Sequence, residues 1–133
     1  MRIHFLPSLG CAALTLLGAS CSSFTENDRV CTAEFRYGLT VTVLDSATGA
    51  VDFSGARGTI QDGDYTDSLT AVGDAANIRA LVGAGERQGT YTVRVTKPGY
   101  EPWVKHNVQV THDGCHVRGV PLDARMVRLT VMD

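Results

Sequence analysis

The chain has 133 residues, a formal net charge of −2, 44% hydrophobic residues and 20% charged ones. That length suits one domain rather than two, and the hydrophobic content is too high for a disordered chain. With charge nearly balanced, no basic block and no aromatic-basic RNA-binding motif, nucleic acid is not an expected partner.

Met1-Arg2-Ile3-His4 makes a short basic start. An apolar run follows from Phe5 to Leu17, broken only by Pro7, Ser8, Gly10 and Thr15, and closes on Gly18-Ala19-Ser20 before Cys21. This order of basic, apolar and small residues predicts a secretory signal over 1–20. The run falls short of the roughly 20 apolar residues a bilayer core demands, and Pro7 stands near its start, which argues against an anchor helix. Leu17-Gly18-Ala19-Ser20-Cys21 resembles the bacterial lipobox, in which small residues precede a cysteine that is diacylated and becomes the new N-terminus. The leucine usual three places before the cysteine is here Gly18, with Leu17 one place further back. The resemblance implies lipid on Cys21 and a membrane partner through that anchor. By likeness to sorting in Gram-negative bacteria, Ser22 in place of aspartate implies the outer membrane of the cell envelope.

The four cysteines are Cys11, Cys21, Cys31 and Cys115. Leader removal takes Cys11 and acylation takes Cys21, so Cys31 and Cys115 remain as a pair, expected to bond in an oxidising compartment. Losing Arg2 with the leader leaves 11 basic residues against all 14 acidic ones, a balance of −3 over the remaining 113 residues. Residues 21–30 form a lipidated polar tether, Ser22 to Arg29 being polar and aperiodic, and 31–133 form the domain.

Within that domain, period-two alternation predicts strands. Leu39, Val41 and Val43 share one face, with Thr40 and Thr42 on the other, before the turn Asp45-Ser46-Ala47-Thr48-Gly49. Ala56 to Gln61 and Tyr65 to Val72 follow on either side of the hairpin signal Asp62-Gly63-Asp64. Ile78 to Val82 is next, after a small-residue loop that could instead hold a short helical turn. Gly83 to Gly89 reads as a long hairpin loop. The clearest strand is Thr90 to Thr96, with Tyr91, Val93 and Val95 alternating, ended by Pro98-Gly99. Trp103 to Thr111 places Val104, His106, Val108 and Val110 on one side, and the last segment ends Val127-Arg128-Leu129-Thr130-Val131. No window holds a long amphipathic helix. The expected fold is all-β, a two-sheet sandwich of about seven strands.

Three segments, Val43-Leu44-Asp45-Ser46-Ala47-Thr48-Gly49, Gly89-Thr90-Tyr91-Thr92-Val93-Arg94-Val95 and Gly99-Tyr100, resemble the carboxypeptidase regulatory-like domain, a transthyretin-like (prealbumin-like) β-sandwich. The resemblance covers roughly residues 31 to 129. It departs at Ala50, where many members carry proline. It implies a non-catalytic folding or interaction unit, without a cofactor.

Candidate chemistry is sparse. His112, Asp113, Cys115 and His116 are potential metal ligands, but Asp113-Gly114 marks a turn and Cys115 is expected to be oxidised, so no metal is expected. No Gly-x-Ser-x-Gly elbow supports a hydrolase, and the glycine-rich stretch from Gly83 lacks a Lys-Ser/Thr step for phosphate. Asp62-Gly63-Asp64 offers at best part of a calcium shell. No catalytic residue is expected. Tyr100, Pro102 and Trp103 form an aromatic cluster that could stack on sugar rings or clamp a peptide. Three readings follow: an envelope lipoprotein whose sandwich is a structural or protein-interaction module, a carbohydrate- or peptide-binding module using Tyr100 and Trp103, and a metal-dependent enzyme. The first is the leading expectation, with an envelope protein or glycan as partner.

Overall fold

The computed structural model describes residues 30–74 and 76–130. The expected leader, Cys21 and all of the tether except Val30 lie outside the described residues. Those residues form eight strands: β1 Tyr37–Asp45, β2 Arg57–Asp62, β3 Tyr65–Ser68, β4 Thr70–Asp74, β5 Asn77–Gly85, β6 Gly89–Thr96, β7 Trp103–Val110 and β8 Val120–Met126. Two four-stranded sheets result, ordered β4-β5-β1-β8 and β3-β2-β6-β7. The all-β two-sheet sandwich read from the alternation is the observed architecture. Pairing is antiparallel except between β1 and β8, which run parallel from Leu39↔Val120 to Asp45↔Met126.

The core follows from two strands of unbroken period. Leu39, Val41 and Val43 of β1 and Tyr91, Val93 and Val95 of β6 are fully buried and face each other across the sandwich. Ile60, Leu81, Val117 and Met126 fill the space around them. Each such side chain removed from water contributes about 1.5–3 kcal/mol, and the inward stripes of these two strands supply six of the buried hydrophobic side chains among the described residues.

Elsewhere the phase of the alternation changes, and the expectations need correcting. The run Tyr65 to Val72 is not one strand: it breaks at Leu69, where the chain leaves one sheet for the other. The Leu69 amide donates to the Gly58 carbonyl (2.8 Å), and its buried side chain fills the inter-sheet space. A β-carbon at Gly58 would collide with Leu69 Cδ1, and one at Gly83 would lie 2.6 Å from Leu69 Cδ2. Glycine on both flanking strands makes room for the Leu69 side chain at this crossing.

In β7, Val104 and His106 do not share the face of Val108 and Val110. Tyr91 pairs with Val108 but Val93 pairs with Lys105, so an extra residue is accommodated around Asn107, whose φ is +57°. This β-bulge turns Val108 and Val110 inward and leaves Val104 and His106 outside.

Three loop assignments also change. Gly83 to Gly89 is not a hairpin loop, because β5 extends to Gly85 and the next strand belongs to the opposite sheet. The stretch from Asp74 is a β4–β5 hairpin, not a helical turn. The last strand is β8, which ends at Met126. Val127 and Leu129 are half-exposed beyond it, and Val131 lies outside the described residues. Pairing with β1 selects Leu122, Ala124 and Met126 as the inward set.

We expect Gly58→Ala to destabilise the fold by about 1–3 kcal/mol through overpacking against Leu69. Urea unfolding would measure this, and an unchanged midpoint would mean that Leu69 is not held as described.

Candidate functional site

The two ends of the sandwich differ in chemistry. At one end β1 runs into a turn built on Asp45, which is only 4% exposed. Its Oδ1 accepts from the amides of Ala47 (2.9 Å) and Thr48 (3.0 Å), which shapes the Asp45 to Gly49 turn. Its Oδ2 accepts from the Tyr100 hydroxyl (2.8 Å) and from Arg128 Nε (2.8 Å). A buried carboxylate is tolerable only when so satisfied. These donors, the Tyr100 hydroxyl foremost, hold the Asp45 carboxyl far below the usual carboxylate value.

Lys97 stands beside this knot with its ammonium group buried. It donates to Asp52 Oδ2 (2.8 Å), to the Ser54 carbonyl (2.8 Å) and to Ser54 Oγ (2.9 Å). That ammonium, with Ser54, also depresses the Asp52 carboxyl. The Tyr100 ring lies 5.4 Å from both Lys97 Nζ and Arg128 Cζ, within cation–π range. A cleft of about 480 Å³ opens next to Asp52, lined by residues 51–54 on one side and by Ala76, Asn77 and Ile78 on the other. It forms because Val51 pairs with Leu44 of β1, taking the position beside β1 that β5 holds further down.

At the opposite end Cys31 and Cys115 are joined by a disulfide with Cα atoms 5.2 Å apart, across 84 positions of sequence. His116 packs beneath it. Its Nδ1 lies 2.9 Å from Glu86 Oε1 and its Nε2 3.1 Å from the Thr32 carbonyl. Glu86 also accepts from the Arg36 amide (2.7 Å), and its carboxyl is depressed, by His116 first. Arg87 ties the same end together, donating to Asp62 Oδ2 (2.9 Å) and to the Tyr91 hydroxyl (2.7 Å) while covering the Tyr65 ring.

The residues singled out from sequence therefore take distinct places. Cys31 and Cys115 meet. Tyr100 and Trp103 are both half-buried and packed against the core, and the Tyr100 hydroxyl is committed to Asp45. His112 and His116 do not converge: His112 Nδ1 accepts from the Gly114 amide (3.0 Å), while the His116 ring is held by Glu86 and Thr32. Asp113 Oδ1 caps the amides of Cys115 and His116, which holds its pKa at about 2. Among the described residues, no group of three or more His, Cys, Asp or Glu is placed to hold a metal ion. Cys21 lies outside the described residues.

Sequence reasoning missed the Lys97–Asp52–Ser54 cluster and the role of Arg128. The one local signal was a lysine at the end of an otherwise regular buried strand, immediately before Pro98-Gly99. Compared with known proteins, the chain matches no family model and no curated protein is similar to it.

Two predictions follow from the two ends. Asp45, Asp52 and Asp113 have depressed pKa values in the fold, so their stabilisation is complete above the ordinary carboxylate pKa near 4 and is lost as pH falls toward 2. Melting temperature should be nearly flat from pH 7 to about pH 5 and drop steeply below pH 4, with Asp45→Asn showing a shallower acid limb. Cys31→Ser with Cys115→Ser should cost about 2–5 kcal/mol in denaturant unfolding, whereas a loss near zero would mean the closed loop restricts little in the unfolded chain.

Proposed function

We propose that this protein is an exported lipoprotein of the cell envelope, anchored at the outer membrane by acylated Cys21, whose sandwich is a non-catalytic structural or protein-interaction module. The observation that carries the reading is the Cys31–Cys115 disulfide. A bond of this kind persists in oxidising compartments, which fits the leader read over residues 1–20. It accounts for two of the four cysteines, and leader removal with acylation accounts for the other two.

The placement of the disulfide supports the same reading. Cys31 is stapled at the end of the sandwich opposite the Asp45 knot and the cleft beside it. The likeness to carboxypeptidase regulatory-like domains is in keeping with this. Two of the segments that carry it, the Asp45 to Gly49 turn and Gly99-Tyr100, are joined by the Tyr100–Asp45 hydrogen bond (2.8 Å).

A second reading, a carbohydrate- or peptide-binding module, draws support from the cleft near Tyr100, whose volume of about 480 Å³ lies within the range of small-ligand sites. Neither Tyr100 nor Trp103 lines that cleft, and the Tyr100 hydroxyl is bonded to Asp45, so the reading rests on the cleft walls at residues 51–54 and 76–78.

The lipid anchor is tested by Cys21→Ala in a cell expressing the full chain. The wild-type protein should incorporate labelled fatty acid and fractionate with membranes, and the variant should accumulate as an unlabelled precursor. Equal labelling of both would place the lipid elsewhere, and no labelling of either would remove the anchor from the account.

A further inference from the structure

The outward face of the β3-β2-β6-β7 sheet has a composition unlike the chain as a whole. The register places Arg57, Thr59 and Gln61 of β2 beside Thr96, Arg94 and Thr92 of β6, with Val104 and His106 of β7 beyond. None of the outward positions on these four strands is a carboxylate. The acidic residues of the sheet, Asp62 and Asp67, pair with Tyr65 and Ile60 on the inward side, and Asp62 is neutralised by Arg87. In a chain of net charge −2, this face carries only positive charge.

Arg57 and Arg94 are both exposed, and neither belongs to an ion pair among the described residues. Arg36, Arg87, Lys97, Arg125 and Arg128 each have a carboxylate partner, while Arg79, Lys105 and Arg118 on other parts of the surface also have none among the described residues, so it is the spacing of Arg57 and Arg94 on one face that sets them apart. Arg57 pairs with Thr96, two residues beyond Arg94 on the same strand face, so the two guanidinium groups spring from diagonal neighbours about 7–8 Å apart. Like charges so close repel, and an anion spanning both relieves that repulsion. Their planar forks suit bidentate pairing with carboxylate, sulfate or phosphate oxygens. The hydroxyls of Thr59, Thr92 and Thr96 stand among them as donors and acceptors.

We propose that this face binds an acidic polysaccharide, with Arg57 and Arg94 pairing its anionic groups and the threonine hydroxyls bonding to sugar hydroxyls. The occupant follows from what the face carries and lacks. It is polar and cationic, and none of its outward positions is a Phe, Tyr or Trp on which a nucleic-acid base could stack. Val104 is its single exposed aliphatic side chain, too little to enter a bilayer. The site is distinct from Tyr100, Trp103 and the cleft, and it does not depend on the lipid at Cys21.

Heparin, as a soluble sulfated polysaccharide, tests this with the full chain in detergent solution. The wild-type protein should bind heparin with an affinity that falls as salt is raised and should ignore uncharged dextran. Arg57→Gln and Arg94→Gln should each weaken binding by about tenfold, as expected for one charge-assisted contact, with an unchanged melting temperature. The charge-matched pair Arg79→Gln and Arg118→Gln, on other surfaces, should bind like wild type. Equal loss in the two pairs of variants, binding of dextran as tight as heparin, or no binding at low salt would each overturn the proposal. Lipidation of Cys21 would stand or fall separately.

Discussion

Burying a carboxylate without partners is prohibitive, and in this sandwich Asp45 transmits that constraint to much of one end. Its four donors come from its own turn, from the β6–β7 connection and from the segment after β8. Satisfying one side chain thus fixes the exit of β1, the position of Tyr100 and the path of the chain past Met126. The Ser46 amide, donating to the Met126 carbonyl (2.9 Å), and the Leu129 amide, donating to the Gly99 carbonyl (2.9 Å), continue the same lacing in the backbone. Tyr100 is consequently bracketed by two cations and bonded through its hydroxyl.

The opposite end is closed by covalent chemistry instead. The Cys31–Cys115 bond holds the segment entering the domain against the β7–β8 connection, and Glu86 gathers Arg36, His116 and Val117 around it. A module held at both ends, with its core between two stripes of β-branched and aromatic residues, has its two sheet faces left for contact with other molecules. One of these, Thr- and Arg-rich, is chemically ready for an anionic partner. The other, across β4-β5-β1-β8, mixes Thr40, Thr42 and Leu44 with the opposed charges of Asp123 and Arg125.

How much was legible in the sequence follows from where the period-two pattern keeps its phase. In Leu39 to Val43 and Tyr91 to Val95 it does, and the strands, their faces and the sandwich class could be read directly. In Tyr65 to Val72 and Trp103 to Val110 the pattern only looks continuous. Leu69 marks a change of sheet made possible by glycines on β2 and β5, and Asn107 adopts a left-handed conformation that asparagine tolerates better than most residues. Neither event interrupts the alternation of residue types, so the period-two pattern alone does not reveal it. β8 was obscured because its partner β1 lies some 80 residues earlier. The disulfide was legible from cysteine arithmetic, while Lys97 and Asp52, 45 positions apart, carry no pattern that would bring them together.

The proposed oxidised module on a lipid anchor is open to one direct measurement. Intact mass spectrometry of the native protein extracted from membranes should give a chain that begins at Cys21, carries acyl groups on that residue, and is lighter by the hydrogens lost in forming the Cys31–Cys115 bond. A chain that retains residues 1–20, or one that starts elsewhere with an unmodified Cys21 and reduced cysteines, would contradict the account.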